Sequence, residues 1–222
     1  MCMENALVIG ASGGIGSAVA QELEARGAAV TRLSRSADGL DVTDPASVEK
    51  VLGGLDGPFD TIFVAIGVLA AGGEPEKALK AIDADQMARV MAINAIGPAL
   101  ILRHAPRLLR RNGRGVVAVL SARVGSIGDN QIGGWHSYRA SKAAANQIIH
   151  GAAIEMGRSH KHAIVVALHP GTVETPFTAD YAGHHKSVPA DEAAGNLVDV
   201  MAALTRNQNG GFFDYAGTVV PW

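Results

Sequence analysis

The segment "SYRASKAAANQII" (137–149) places Tyr138 four residues before Lys142 in an alanine-rich run. Four residues span about one helical turn, so the phenol and the ammonium group are expected on one face of a helix. A free tyrosine has a pKa of about 10. A cation one turn away favours the phenolate and lowers that pKa, which improves a general acid–base near neutral pH. The pair therefore predicts proton transfer by Tyr138, tuned by Lys142.

A glycine-rich turn, "GASGGIG" (10–16), follows the first apolar segment, with glycines at Gly10, Gly14 and Gly16. Glycine lets a backbone approach a pyrophosphate, and the helix start near Ile15 offers free N–H groups and a positive dipole end. The turn lacks the lysine of an ATPase-type phosphate loop. We expect a dinucleotide site here; a tight turn without a ligand is the alternative.

About twenty residues further on, dinucleotide-binding folds carry an acidic residue for a ribose 2′-hydroxyl or an arginine for a 2′-phosphate. This chain has Ser34 and Arg35 at that place. Arg35 favours NADP(H), while NAD(H) stays possible because only one basic residue marks the preference. An ordinary surface arginine is the alternative.

The elements that position these residues alternate between strand and helix. Strands are predicted at 5–10, 28–34, 59–67, 115–121, 163–171 and, as an edge strand, 210–217. Helices are predicted at 15–27, 44–55, 84–111 (disturbed at Gly97-Pro98), around Tyr138 and near 190–204. Fully apolar strands separated by helices are typical of a parallel sheet covered on both faces. We predict an α/β fold, a single doubly wound Rossmann-type domain over residues 1–222.

The composition of the chain limits the classes of partner that it is expected to bind. The 222 residues are 48% hydrophobic, and 19 Lys+Arg against 21 Asp+Glu give a net charge of −2, which argues against nucleic-acid binding. The basic segment 107–115 is expected to be a helix end and turn. The single cysteine, Cys2, suits a reducing compartment, and we expect a cytoplasmic protein. Neither a signal peptide nor a membrane span is expected.

The eight histidines are candidates for a metal site or a pocket wall. The pairs His160/His162 and His184/His185 lack cysteine and suitably spaced acidic neighbours, so no metal is expected. His136, next to Trp135, is a candidate for the wall of a substrate pocket, with a plain loop role as the alternative.

Four features resemble the short-chain dehydrogenase/reductase family in order and spacing: the turn at 10–16, Asn94, Tyr138-x-x-x-Lys142 and "HPGTVETPF" (169–177). The resemblance covers essentially the whole chain. The short length, "SYRASKAA" and the ending "GGFFDYAGTVVPW" are most similar to the branch that contains C-factor-type and sniffer-type carbonyl reductases.

The resemblance implies an NADP(H)-dependent oxidoreductase that transfers hydride between nicotinamide and a small carbonyl or alcohol. It makes Tyr138 the acid–base, lets Lys142 also bind the nicotinamide ribose, has Asn94 support a water relay and has Ser121 orient the carbonyl. The implied cofactor-binding residues are Gly10, Ser12, Gly14, Ile15, Gly16, Ser34, Arg35, Asp41, Val42, Ala65, Gly67, Tyr138, Lys142, Pro170, Gly171, Val173 and Thr175.

The resemblance also implies a mobile flap from Phe177 to about Val188 and a homodimer or homotetramer. The oligomer would form through the helix at 84–111 and the helix that carries Tyr138. The expected partner is a small-molecule substrate, with no nucleic acid and no membrane.

Two departures from the family pattern qualify this interpretation. The family's N-N-A-G after the third strand is "VAIG" (64–67) here, which keeps Gly67 alone. Where the family strand ends in two serines, the second orienting the carbonyl, this chain has Ser121 and then Ala122. Alternate strand residues face opposite ways, so Ser121 points away unless the strand end is shifted. Ser126, or no serine at all, are the open alternatives.

Ala122 and the C-factor resemblance also allow a second function. The chain would then be a dinucleotide-binding sensor or signalling protein with little turnover. A scaffold that binds no cofactor is a third possibility.

Overall fold

The computed structural model of the chain describes residues 3–175 and 187–222. Within them, six strands form one sheet with the order β2-β1-β3-β4-β5-β6, and every neighbouring pair is parallel. The strands are β1 (Asn5–Ile9), β2 (Ala29–Leu33), β3 (Thr61–Val64), β4 (Gly115–Leu120), β5 (Ala163–His169) and β6 (Phe212–Asp214). The predicted α/β fold of the Rossmann type is confirmed, and β6 is the predicted edge strand.

Helices cover both faces of this sheet. They are α1 (Gly14–Ala25), α2 (Arg35–Asp38), α3 (Pro45–Gly53), α4 (Ala84–Met91), α5 (Gly97–Leu102), α6 (Ala105–Leu108), α7 (His136–Ser159) and α8 (Ala190–Ala203). The start of α3 shows the local logic. The Asp44 side chain accepts a hydrogen bond from Ala46 N, and Pro45 opens the helix without an N–H to satisfy.

The helix predicted over 84–111 with a disturbance at Gly97-Pro98 is helical over most of that range, but the structure interrupts it twice. A π-helical turn (Ala92–Ile96) separates α4 from α5, and the chain leaves the helix again before α6. Pro98 and Pro106 lie near the two interruptions and cannot donate a backbone hydrogen bond. A π-helical turn rotates the following side chains and is frequent at functional sites. Asn94 lies inside it.

Two hydrophobic cores hold the sheet rigid. Strand residues such as Ile9 and Val165 pack on one face with α3, α5 and α7. Their neighbours, such as Val8 and Phe63, pack on the other face with α1 and α8. Burying one aliphatic side chain of this size stabilises the fold by about 1.5–3 kcal/mol. The strand ends are therefore well-defined anchor points for the loops.

The carboxyl ends of the strands form the edge where a ligand is expected. The strand order reverses at β1, which lies between β2 and β3. In open α/β sheets the ligand crevice lies beyond the carboxyl ends at such a switch point. The loops after β1, β2, β3, β4 and β5 all begin at this edge, and they carry the residues considered next.

Candidate active site

The glycine turn after β1 packs directly on the loop after β3. Gly10 has a φ of 88°, and a Cβ added there would overlap the carbonyl of Ala65. The Gly10 and Ala11 N–H groups donate to Leu33 O at 2.9 and 3.0 Å, which ties the turn to β2. Only glycine combines this φ with this close approach.

The start of α1 provides an uncapped helix end at the same place. Gly13 is the N-cap residue and supplies no side-chain cap, Ser12 is exposed at the tip of the turn, and Ile15 and Gly16 lie in the first helical turn. Thr175, from the segment after β5, lies so close that a Cβ added at Gly14 would be 2.7 Å from its methyl group. Free N–H groups, a positive dipole end and a cradle without side chains fit the pyrophosphate of a dinucleotide.

The end of β2 carries the residues predicted to select the cofactor. Ser34 is the N-cap residue of α2: its hydroxyl accepts a bond from Ala37 N at 3.1 Å, and its N–H donates to the Asp38 carboxylate at 2.7 Å. Arg35 is exposed on α2. Ser34 thus has a local capping role, and Arg35 presents its charge at the carboxyl edge.

Asp41 and Val42 line the next part of the crevice. The Asp41 carboxylate accepts bonds from the Thr43 hydroxyl at 2.7 Å and the Thr43 N–H at 2.9 Å. These bonds, helped by the charge of Arg35, lower the pKa of Asp41. Val42 is buried, and Gly97 packs against its side chain. The loop after β2 is therefore tied both to itself and to the first turn of α5.

Tyr138 and Lys142 lie one turn apart in α7, as their spacing predicts, and both are buried. The residue Lys142 is only 3% exposed. Its Nζ donates a hydrogen bond to Leu120 O at 3.0 Å and lies 3.5 Å from Ile66 O. A Cβ added at Gly67 would be 3.1 Å from this ammonium nitrogen. Lys142 therefore joins the ends of β3 and β4 beneath the crevice.

Burial sets the protonation of this pair. It raises the pKa of Tyr138 above its usual value of about 10. It also lowers the pKa of Lys142 to about 8. Both shifts have the sign expected when desolvation penalises a charged form. The lowering of the phenol pKa by Lys142 and a bound, oxidised nicotinamide stays a prediction, since burial alone raises that pKa in the chain without cofactor.

Asn94 connects the π-helical turn to two other elements. Its Oδ1 accepts a bond from Val68 N at 2.7 Å, and its Nδ2 donates to Val68 O at 2.8 Å and to the Ser141 hydroxyl at 3.0 Å. Ser141 in turn donates to the carbonyl of Tyr138 at 2.8 Å. Asn94 is thus placed beside Tyr138 and Lys142 by backbone and side-chain bonds together.

The structure places Ser121 in contact with α7. Its buried hydroxyl donates to Asn146 Oδ1 at 2.6 Å, inside the interface between β4 and α7. The side chain of Ser121 faces the helix, so its role in orienting the carbonyl stays a prediction that this contact does not favour. Ser126 is buried too, and its hydroxyl accepts a bond from Asp129 N at 3.0 Å. The arrangement favours the alternative without a working serine.

The segment after β5 returns across the crevice. Pro170 and Gly171 make the turn, Gly171 with a φ of 80°. Val173 is buried and forms a β-bridge with Val188, and Glu174 N donates to Val188 O at 2.9 Å. This bridge holds Thr175 against the glycine turn. Of the predicted flap, residues 177–186 lie outside the described residues.

Three polar residues of the site were not predicted. Ser141 accepts a hydrogen bond from Asn94, and Asn146 accepts one from Ser121. Glu76 accepts hydrogen bonds from Ser137 in the first turn of α7. Ser141 and Asn146 follow Tyr138 at helical spacing, which is a usable signal. Glu76 comes from a loop that is remote in sequence and carries no such signal.

Other features lie outside this site. A cleft of about 460 Å³ lies at the amino ends of β3, β4 and β5, between Pro58 and His160, on the opposite edge of the sheet. Within residues 3–175 and 187–222, no three His, Cys, Asp or Glu side chains gather as a metal-ligand set, and His184 and His185 lie outside that part. No helix in the described part combines the length and the apolar character that crossing a bilayer requires.

Comparison with known proteins agrees with the geometry. The family model for short chain dehydrogenase matches residues 4–186. The 1-hydroxy-2-glutathionyl-2-methyl-3-butene dehydrogenase of Rhodococcus sp. (strain AD45) is 33% identical over 235 residues, covering 99% of this chain and 100% of the relative. The C-signal protein of Myxococcus xanthus is 35% identical over 145 residues, covering 65% of this chain and 84% of the relative. This match confirms the predicted kinship with the C-factor branch.

Among solved structures, a short-chain dehydrogenase/reductase from Burkholderia multivorans with bound NADP superposes with a TM-score of 0.84. It is 27% identical and covers 99% of this chain and 100% of its own. The glycine turn, the helical Tyr–Lys pair and the Asn94 turn meet at one sheet edge, as the resemblance predicts. The chain therefore belongs to the short-chain dehydrogenase/reductase family of NAD(P)-dependent oxidoreductases.

Proposed function

We propose that this oxidoreductase prefers NADP(H) and interconverts a small carbonyl compound and its alcohol, with Tyr138 as the general acid–base. One observation carries the proposal: Asn94 and the Tyr138–Lys142 helix meet at Gly67, in the loop after β3 on which the glycine turn packs through Ala65. Buried groups with strongly shifted pKa values at a ligand-binding sheet edge, such as this phenol and this ammonium group, are typical of functional sites.

The residues that would hold the cofactor lie along the carboxyl edge of the sheet in the same order as the parts of the cofactor that they would bind. The Gly10–Gly16 turn and the start of α1 bind the pyrophosphate, Arg35 binds the 2′-phosphate, and Lys142 binds a ribose hydroxyl. Val173 and Thr175 close the crevice from the other side. When bound, the nicotinamide supplies or accepts hydride. The bound NADP of the Burkholderia neighbour supports this choice of cofactor.

Tyr138 donates its phenolic proton to the carbonyl oxygen as the carbonyl carbon receives hydride. Because burial raises the pKa of Tyr138, the phenol stays protonated near neutral pH and can donate this proton. The ammonium group of Lys142 then stabilises the phenolate. Asn94 and Ser141 fix the backbone of the turn that carries Tyr138. In the oxidative direction the same groups act in reverse.

The carbonyl oxygen relies on Tyr138 without a second hydroxyl from β4. Ser121 donates its proton to Asn146, and Ala122 follows it on the strand. Losing one such donor costs about 2.7–4 kcal/mol of transition-state stabilisation in a well-studied protease. We expect a slower enzyme, whose turnover still depends on Tyr138.

Turnover with NADPH tests the proposal. The protein is mixed with NADPH and a panel of quinones, aldehydes and diketones, and the nicotinamide absorbance is followed, with Tyr138→Phe as the control variant. Consumption that disappears in Tyr138→Phe supports the enzyme. Binding of NADPH without Tyr138-dependent consumption supports the second candidate, a dinucleotide-binding sensor, which Ala122 and the C-signal match favour. Absence of any NADPH-induced rise in melting temperature contradicts both.

We also propose that the chain acts as one cytoplasmic domain and assembles as a homodimer or homotetramer. Ile96 in the π-helical turn and Ile154 in α7 are exposed by 53% and 54%. Both residues lie on the two helical segments that the family resemblance assigns to the oligomer interface, where they would be covered. Light scattering of the wild type against Ile154→Glu tests this part.

A further inference from the structure

The backbone bends sharply where the chain enters α7. Trp135 has φ 47° and ψ 46°, and it is the only non-glycine residue with a positive φ in the described part of the chain. Gly133 and Gly134 before it also have positive φ. A residue with a Cβ disfavours this left-handed conformation, which persists only where its surroundings hold it, frequently at functional sites.

Glu76, from the loop after β3, holds this bend. Its carbonyl accepts a bond from Trp135 N at 2.5 Å. Its carboxylate accepts bonds from Ser137 N at 3.2 Å and from the Ser137 hydroxyl. Glu76 is only 3% exposed. Burial raises the pKa of Glu76, but hydrogen bonds from Ser137, from its own backbone and from Gln86 together outweigh burial, so the pKa lies below its ordinary value.

Arg139 holds the same bend from the helix side. Its Nε donates to the carbonyls of Gly133 and Gly134 at 3.1 and 3.0 Å. The backbone that carries the indole of Trp135 is thus held by Glu76 on one side and by Arg139 on the other.

The indole ring of Trp135 contacts the phenol ring of Tyr138. The ring centroids of Trp135 and Tyr138 are 6.3 Å apart, and the ring planes meet at 67°, an edge-to-face contact. A carbonyl oxygen bonded to Tyr138 lies about 2.7 Å from the phenol oxygen. The carbonyl carbon lies one bond further, and the half-buried indole flanks the same phenol ring.

From these contacts we infer that Trp135 is a specificity-determining residue, whose indole contacts a planar aromatic or conjugated group on the carbonyl carbon of the substrate. Glu76 is the positioning residue that holds the indole there. The inference rests on the proposed carbonyl reduction at Tyr138 and names its substrate class, aryl and conjugated aldehydes and ketones. If Trp135 only shields the phenol, its loss affects aryl and alkyl carbonyls equally.

A substrate pair separates the two roles. Benzaldehyde and cyclohexanecarbaldehyde are similar in size, but only the first is planar and aromatic. In Trp135→Leu we expect the ratio of their kcat/KM values, aryl over alkyl, to fall about tenfold, while Trp135→Phe keeps most of it. An unchanged ratio in Trp135→Leu overturns the inference, whatever happens to the absolute rates.

Binding without turnover separates the inference from the proposed reduction. The chain has two tryptophans, so Trp222→Phe leaves Trp135 as the only one. Trp222 stacks on Phe212, and phenylalanine preserves that contact. In the presence of NADP⁺ we expect benzamide to quench the Trp135 fluorescence saturably, and cyclohexanecarboxamide much less. No difference between the two amides overturns the inference. A difference in a protein that reduces no carbonyl supports the aromatic contact and rejects the proposed reduction.

Glu76 is tested by conservative rescue. Glu76→Gln keeps an oxygen that can accept bonds from Ser137, whereas Glu76→Ala removes it. We expect Glu76→Ala to lower the aryl preference severalfold, mainly through KM for benzaldehyde, and Glu76→Gln to retain it. If Glu76→Ala lowers the melting temperature but leaves the aryl preference unchanged, Glu76 only stabilises the helix start and its positioning role is rejected.

Discussion

The two walls of the crevice are held by different kinds of contact. On the cofactor side, the glycine turn bonds through its backbone to Leu33 and packs on the carbonyl of Ala65. On the substrate side, polar side chains set the geometry: Glu76, from the loop after β3, holds the start of α7, and Asn146 of α7 holds Ser121. The cofactor wall therefore depends on backbone shape, and the substrate wall depends on a few polar side chains.

This difference has a consequence for how each wall tolerates change. A backbone cradle fails when a Cβ is added, because atoms then overlap. Where side chains set the geometry, the protein can lose or gain one hydrogen bond and still fold. Changes on the cofactor side should therefore be large and general, whereas changes on the substrate side should be smaller and selective for substrate.

The largest effect is expected at the turn itself. Gly10→Ala combines a φ of 88° with an overlap against the Ala65 carbonyl. We expect the free energy of unfolding to fall by about 3 kcal/mol and NADPH binding to be lost. Urea unfolding and NADPH titration measure the two effects. Gly27→Ala is the matched control, since Gly27 also has a positive φ of 91° but has open space around an added Cβ. Equal losses in the two variants would contradict the backbone-cradle account.

A charge on the cofactor wall should act on selectivity without disturbing the fold. Arg35 is exposed on α2, so Arg35→Ala is expected to leave the melting temperature nearly unchanged. Loss of a charged hydrogen bond to a 2′-phosphate weakens NADPH binding by about 2 kcal/mol, roughly thirtyfold, with NADH affected little. Titrations with both nucleotides test this expectation. Equal weakening of NADPH and NADH would remove the argument for NADP(H).

The substrate wall offers a gain of activity. Ala122→Ser restores a hydroxyl at the position where the family has its second serine, and we expect kcat to rise about tenfold, equivalent to about 1.4 kcal/mol. Ser121→Ala is the control. It leaves Asn146 Oδ1 without its partner and should lower stability by about 1–3 kcal/mol with little change in kcat. If Ser121→Ala abolishes turnover and Ala122→Ser changes nothing, Ser121 does orient the carbonyl.

The smallest effect concerns Lys142 and pH. Burial lowers its pKa from the usual value to about 8 in the folded state. Between about pH 8 and 10.4 the unfolded state therefore binds more protons than the folded state, and stability rises with pH in that window. We expect the free energy of unfolding of the wild type to gain about 1 kcal/mol relative to Lys142→Met between pH 8 and about pH 9. Urea titrations at the two pH values measure it, and a parallel pH dependence in both proteins would show that Lys142 keeps an ordinary pKa.

The features that the sequence predicted well share a local cause. The apolar strands, the glycine turn, the Asp44-Pro45 helix start and the one-turn spacing of Tyr138 and Lys142 all follow from short-range rules. The helix predicted over 84–111 with a disturbance at Gly97-Pro98 is interrupted twice, and the bonds of Asn94 to Val68 and Ser141 are tertiary contacts that local rules do not supply. The family pattern left open which way the side chain of Ser121 faces, and in the structure it bonds to Asn146.

The sequence alone determined the parallel α/β sheet, the place of the dinucleotide turn and the pairing of Tyr138 with Lys142, since chain periodicity and glycine spacing act over a few residues. Only the tertiary structure decided the protonation of that pair, the direction of Ser121 and the bend at Trp135. Those properties depend on burial and on bonds from Glu76, Asn94 and Asn146, whose distances from their partners in space are unrelated to their separations along the chain.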